Sequence, residues 1–276
     1  MRYDEPDSLA PEIPLEGGDV TEGLVRCGDT VRRPRGAASD GVERLLVHLE
    51  SVGFDGAPRY LGLDSKRRDV LTFVAGEVAI RPWPAWVADD SRAKSVARLV
   101  RQYDDAAMTL GVPTWAQELR PPNLPGQPLS TADHPVFVAH LDITPENVVF
   151  RHGEAIALID FDLARPATRA EEVANMLLWW APWMPVDDRE EALRGADPFR
   201  RAALIVDAYD LDGASRARLI DVSLNIADRS WWSMRHRAET LGGGWRRMWD
   251  EGVGDRILRR RKWLTANATA LGHAVV

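Results

Sequence analysis

A chain of 276 residues with 45% apolar content is long enough to bury one large core or two unequal lobes, and 28% charged residues is ordinary for a soluble globular protein. Its 35 basic and 42 acidic residues leave a net charge of −7, which argues against a nucleic-acid surface and is compatible with cationic small substrates or with simple solubility. The single cysteine, Cys27, excludes an internal disulfide and a CxxC-type metal site, and no stretch of about 18 apolar residues or apolar leader core is present, so the cytoplasm is the expected location and a membrane is not.

In chain order, the residues up to about Pro14 carry acids and three prolines and read as an irregular lead-in. Leu24 to Arg32 alternates around a Gly28-Asp29 turn, a hairpin pattern. Ser39 is placed to cap a helix in which Val42, Leu45, Leu46 and Leu49 share a face. Pro58 to Leu63 and Asp69 to Val74 read as two further strands, and Ala75-Gly76-Glu77 breaks the pattern. From there helices dominate. Ser91 to Leu110 shows apolar residues at helical spacing, residues 121–128 form a proline-rich loop, and 196–209, 214–238 and 244–269 are again helical. The expected architecture is a small sheet-rich lobe, a hinge near Val74 to Glu77, and a larger helical lobe with one short β insertion.

That insertion, HLDITPENVVFRHGEAIALIDFD from His140 to Asp162, sets Asp142, Asn147, Asp160 and Asp162 around two short apolar runs. A hairpin turning at His152-Gly153 returns Asp160 to the edge where Asp142 and Asn147 stand. Oxygen ligands of this kind suit a hard cation that also holds phosphate oxygens. Phosphoryl transfer needs such parts: a carboxylate to accept a hydroxyl proton, an amide and a second carboxylate on the metal, and a cation on the phosphates. The purely structural alternative has Asp142 capping a turn and Asn147 pinning a loop.

H-x-D-x-x-P-x-N followed by I-D-x-D resembles the catalytic and metal-binding segments of the aminoglycoside phosphotransferase family, small-molecule relatives of the protein kinases. The resemblance implies an α+β, bilobal, protein-kinase-like fold, with residues 1–76 as an antiparallel-sheet N-lobe and 77–276 as a mostly helical C-lobe. It implies Asp142 as the catalytic base, Asn147 and Asp160 as magnesium ligands, and ATP or GTP as phosphoryl donor to a hydroxyl of a small molecule. On the N-lobe it points to Arg32 in VRRP as the phosphate-binding residue, with Arg33 the alternative, and to Glu43 as its helix partner; an arginine there departs from the usual lysine and changes the geometry from a point charge to a planar fork. Gly17, Gly18 and Thr21 would belong to the phosphate-covering loop, and Thr72, Phe73 and Val74 to the nucleotide hinge. Leu141 departs from the glycine or asparagine usual in relatives. Asp162 is a metal-shell group or a solvated turn acid, His140 an orienting residue, and Glu172 a brace for the catalytic loop.

The acceptor would meet the helical lobe, which holds Trp179, Trp180 and Trp183 in a WWAPW run and the acids Asp187, Asp188, Glu190 and Glu191. The tryptophans could stack on a ring, though at helical spacing they are more often core, and the acids could draw a polycation such as an aminoglycoside, though a solvated loop explains them equally well. Two functions stand against each other: a nucleotide-dependent kinase of a small-molecule hydroxyl, and a pseudokinase that binds a nucleotide or partner without turnover. The missing lysine motivates the second, and the complete Asp142, Asn147 and Asp160 set argues against it.

Overall fold

The computed structural model describes residues 10–15 and 23–276. A five-stranded antiparallel sheet comes first, in the order β1-β2-β3-β5-β4, from β1 (Ile13–Pro14), β2 (Val25–Cys27), β3 (Thr30–Arg33), β4 (Tyr60–Leu63) and β5 (Asp69–Thr72). Gly28, at φ 58°, supplies the left-handed residue of the β2–β3 turn, as the alternation around Gly28-Asp29 predicts. Ile13 and Pro14, read from sequence as irregular, pair with Arg26 and Val25.

Helix α1 (Ser39–Ser51) buries Leu45, Leu46 and Leu49, the predicted stripe. Ser39 is its first helical residue rather than its cap: Ser39 Oγ accepts a hydrogen bond from the Gly36 N–H at 2.9 Å, while Ala38 occupies the cap position. The predicted 91–110 helix is α2 (Asp90–Met108), whose face from Ala93 to Ala107 is buried against the core. The segment read as one helix over 244–269 is two, α6 (Gly243–Asp250) and α7 (Val253–Val275), because Gly252 at φ 86° turns the chain between them.

The β insertion lies between helices. β6 (Phe137–Ala139) pairs with β9 (Arg165–Ala167), and β7 (Val148–Arg151) with β8 (Glu154–Leu158), all antiparallel. His152 and Gly153 both take positive φ (53° and 82°), the conformation a two-residue hairpin turn demands. The remaining helices, α3 (Arg169–Trp180), α4 (Pro198–Tyr209) and α5 (Gly213–Thr240), complete the body, with α5 packed on α3, α6 and α7, and α4 on α2. α3 opens with a capping box between Thr168 and Glu171. Glu77 and Phe150 exchange two backbone hydrogen bonds of 2.8 Å, which fasten the chain leaving the sheet to the β7–β8 hairpin. Among the described residues no helix is long and apolar enough to cross a membrane.

Candidate active site

The loop from His140 to Asn147 is held from below by α3. Glu172, fully buried, accepts the backbone N–H of His140 at 3.0 Å and of Leu141 at 2.8 Å, one on each carboxylate oxygen. One helical turn on, Asn175 Oδ1 accepts the N–H of Ile143 (2.8 Å), and the indole of Trp180 donates to the Ile143 carbonyl (3.0 Å). These contacts hold Leu141 at φ 58°, a left-handed conformation that costs a non-glycine residue about 1–2 kcal/mol. A glycine here would avoid most of that cost.

His140 joins the two ends of the motif. Its Nε2 donates to the Ile159 carbonyl at 3.0 Å, and its Nδ1 accepts the Asp142 N–H at 3.3 Å. That pair of roles requires the neutral ring, and burial depresses its pKa to about 4. With Phe161 at 4.5 Å between ring centroids, the imidazole is fixed as a positioning group.

Asp142, Asn147 and Asp160 converge as the hairpin pattern predicts. The Asn147 amide donates to Asp142 Oδ2 at 2.8 Å and to the Asp142 carbonyl at 3.0 Å, and its own Oδ1 has no donor among the described residues. The Ile159 N–H donates to the Asn147 carbonyl (2.9 Å), which brings Asp160, at φ 63°, beside the loop. Burial, together with the charge of Asp160, pushes the Asp142 carboxyl up to about 7, and the Asn147 bond partly offsets this. Among the described residues no three His, Cys, Asp or Glu side chains gather to form a metal cage by themselves. Asn147 and Asp160 offer oxygen donors of the chemistry that a magnesium ion would take.

The strand pleat decides between the two arginines. Thr30 and Arg32 lie on one face of β3, Val31 and Arg33 on the other. Arg32, 2% exposed, is turned away from the cleft, where it donates to Thr30 Oγ1 and lies 3.9 Å from Asp64. Arg33 instead reaches Asp160 (3.0 Å) and Asp162. Of the two arginines that the sequence leaves open, Arg33 and not Arg32 is the one that faces Asp160. Glu43 does not meet either residue in an ion pair among the described contacts; it lies 3.5 Å from Arg35, which also binds Asp40 and Asp69. Between α1 and the sheet, Arg33, Glu43, Tyr60, Asp160 and Asp162 line a shallow, solvent-open cleft.

The other expected residues divide. Thr72 and Phe73 give their N–H groups to Arg59 O (3.0 Å) and Asp29 O (2.8 Å), so neither amide is left for a nucleotide, while Val74 is half-buried and precedes the exposed Ala75 to Glu77. Gly17, Gly18 and Thr21 lie outside the described residues. Trp180 and Trp183 are core, and only Trp179 turns outward, to meet Trp83 edge-on at 6.2 Å. Asp188 is bound to Arg259 (2.9 Å) and Glu190 to Arg81 (3.2 Å), so two of the four acids are already neutralised by arginines. Sequence reasoning missed Asn175, whose spacing of three from Glu172 was a usable signal, and Arg81 and Trp83, which carried none.

A small antiparallel sheet with one helix, joined to a helical body that carries a braced aspartate loop and a hairpin, is the protein-kinase-like fold. Residues 44–205 match the model of the phosphotransferase enzyme family, and the chain belongs to that family. It is 30% identical over 224 residues to the trifolitoxin immunity protein of Rhizobium leguminosarum bv. trifolii, covering 78% of this chain and 80% of that protein. Its fold is similar to the gentamicin complex of APH(2")-IIa (TM-score 0.59, 13% identity, 92% and 93% of the two chains). It is also similar to a choline/ethanolamine kinase family protein from Mesorhizobium loti (TM-score 0.54, 15% identity, 98% and 94%).

Proposed function

We propose that this phosphotransferase moves the γ-phosphoryl group of ATP or GTP to a hydroxyl of a small molecule, with residues 1–76 covering the nucleotide and 77–276 supplying the chemistry and the acceptor site. The observation that carries the reading is the contact of Asn147 with Asp142 at 2.8 Å, beside an Asp160 bound to Arg33 at 3.0 Å. Asp142 accepts the hydroxyl proton as the acceptor oxygen bonds to phosphorus; the bond from phosphorus to the bridging oxygen breaks, and the nucleoside diphosphate leaves. Asn147 Oδ1 and Asp160 would hold magnesium, which supplies charge neutralisation at the phosphates when bound. Arg33 would bind phosphate oxygens as a fork, and His140, Glu172 and Asn175 keep Asp142 in place.

The test is a thermal-shift titration with ATP and GTP, with and without magnesium, on the parent and on Asp160→Ala. A magnesium-dependent rise in Tm, absent in the variant, supports the reading and names the donor; no rise with either nucleotide sinks it.

A second reading follows from the name of the curated relative. An immunity protein against trifolitoxin protects a cell from a toxin, and a toxin is then a candidate ligand or acceptor for this chain. Expression in a trifolitoxin-sensitive strain measures protection. Protection that survives Asp142→Ala favours sequestration without turnover, and protection lost with Asp142 favours phosphorylation.

A further inference from the structure

Two guanidinium groups stand in the electrostatic field of the Asp142 carboxylate, those of Arg81 and Arg237. They are held differently. Arg81 Nε lies 3.1 Å from Glu146 Oε1 and 3.2 Å from Glu190 Oε1, with its guanidinium over the rings of Trp83 and Trp179. Arg237, near the C-terminal end of α5, is half-buried and lies over Trp245 of α6, 4.4 Å from the ring centroid. Among the described residues it has neither a carboxylate within 4.0 Å nor a hydrogen-bond acceptor.

Arg237 ends a stripe on α5. Arg229, Ser233 and Arg237 recur every four residues and so share one face of the helix. The first two are taken up by the proline-rich loop: Arg229 donates to Asn123 Oδ1 (3.0 Å) and to the Pro128 carbonyl, and Ser233 Oγ accepts from Gln127 (3.1 Å). Arg165 of β9, paired with the Ala139 that precedes His140, adds a further positive charge; it donates to the Leu163 carbonyl (3.2 Å) and has no acid partner within ion-pair distance among the described residues. Burial disfavours the charged forms of Arg165, Arg229 and Arg237, and Arg229 and Arg237 both act on Arg165 with like charge. Glu171 offsets part of the charge of Arg165 and Arg229, whereas Arg237 has only the more distant Asp142 acting on it, so the positive potential suited to an anion is centred on Arg237. It is ill suited to a polycation, the more so because Asp188 and Glu190 are engaged by Arg259 and Arg81.

We propose that the acceptor carries an anionic group, a carboxylate or a phosphate, besides the hydroxyl presented to Asp142, and that Arg237, oriented by its stack on Trp245, binds that group with Arg165 nearby. The inference rests on the phosphotransferase reading above. A guanidinium seated over an indole face still has N–H groups to offer, and its planar fork can engage two oxygens of one anion at once.

The test compares four six-carbon compounds as acceptors with Mg-ATP: gluconate, glucose 6-phosphate, uncharged glucitol and cationic glucosamine. ADP release is measured, and calorimetric binding in the presence of Mg-ADP is measured for each compound. The parent is expected to use or bind at least one of the two anions tenfold or more better than glucitol and glucosamine, and the ratio of gluconate to glucose 6-phosphate separates carboxylate from phosphate recognition. Arg237→Ala should abolish that preference, Arg237→Glu should reverse it in favour of glucosamine, and Arg237→Lys should restore part of it; a merely structural arginine would leave the ratio unchanged. A preference for glucosamine or glucitol in the parent, an anion preference intact in Arg237→Ala, or no binding of either anion overturns the proposal. If the parent shows no Mg-ATP thermal shift, the phosphotransferase reading fails instead, and calorimetry with the two anions alone still decides whether Arg237 forms an anion site.

Discussion

Arg33 Nη2 lies 3.0 Å from Asp160 Oδ1, so one guanidinium on β3 ties the sheet to the residue that follows the β7–β8 hairpin. It also reaches Asp162, so the second acid of I-D-F-D, still 43% exposed, is a partner of the arginine as well as a solvated turn group. Arg32, one residue earlier, lies on the opposite face of the sheet with Thr30 and Asp64. The two arginines should therefore fail differently. Arg33→Ala should raise the KM for nucleotide tenfold or more with a small change in Tm. Arg32→Ala should lower stability by about 2 kcal/mol through lost charged hydrogen bonds, with KM nearly unchanged. Initial rates and urea unfolding on both variants decide, and a larger KM effect at Arg32 would reverse the assignment.

Asp142 should impose a pH dependence on both rate and stability. Its carboxyl is pushed up to about 7, by burial first and by Asp160 second, so the base form required for proton acceptance is the minor one at pH 6. For the free enzyme, kcat/KM should rise about tenfold between pH 6 and pH 8 and level off above. The stability effect has the opposite sign. Because the folded pKa lies above the unfolded one, the native state binds more protons between about 4 and 7, and the contribution present at low pH is lost as pH rises through 7. Asp142→Asn lacks this loss and should be more stable than the parent at pH 8, by about 1–3 kcal/mol, with the gap clearly smaller at pH 5. Urea unfolding at the two pH values checks it; a gap that does not change with pH would show that burial of this charge is not the cause.

Glu172 acts on the reaction only through the loop it holds. Replacing it by Gln leaves one oxygen and one NH₂ facing two backbone N–H donors, so either His140 or Leu141 loses its acceptor. Glu172→Gln should cost about 1–3 kcal/mol and lower kcat while leaving the KM for nucleotide within about twofold. Leu141→Gly would relieve left-handed strain of about 1–2 kcal/mol, but it removes a side chain that is 4% exposed, worth about 1.5–3 kcal/mol. Burial wins, and the glycine variant should be neutral or less stable. A clear gain in Tm would show that strain dominates at this loop.

The parts of the site legible in the sequence were those fixed by short-range periodicity. The two-residue His152-Gly153 turn forces Asn147 and Asp160 to the same end of a hairpin, and the spacing from Asp142 to Asn147 is short enough for one loop. The choice between Arg32 and Arg33 was not legible, because a four-residue strand with arginines on both faces gives no pattern to say which face meets the cleft. Glu43 failed for a similar reason: the nearby Arg35, beyond the strand, competes for it and is placed by Asp69 from another strand. Arg81 and Trp83 come from one segment and Arg237 from another far along the chain, and only the folded chain brings the two arginines into range of Asp142.

Gly76 offers the sharpest test of how the sheet is joined to the helical body. A Cβ at this position would stand 2.5 Å from the carbonyl oxygen of Phe150 and 2.5 Å from Val149 Cγ1. The oxygen is backbone and accepts the Glu77 N–H at 2.8 Å, so it cannot swing aside as a flexible side chain would. Gly76→Ala must push the connection away from β7, weakening both Glu77–Phe150 bonds and the Arg151 bond to the Ala75 carbonyl at 2.9 Å. The expected loss is about 1–3 kcal/mol, the range for steric overpacking, together with a higher KM for nucleotide because the two sides of the cleft are reset. Gly153→Ala is the matched control: nothing lies within 4 Å of its added carbon, and its φ of 82° alone carries the penalty, about 1–2 kcal/mol. The control should therefore lower Tm without moving KM. Nucleotide KM unchanged in Gly76→Ala at equal loss of stability would mean that this connection does not set the geometry of the cleft.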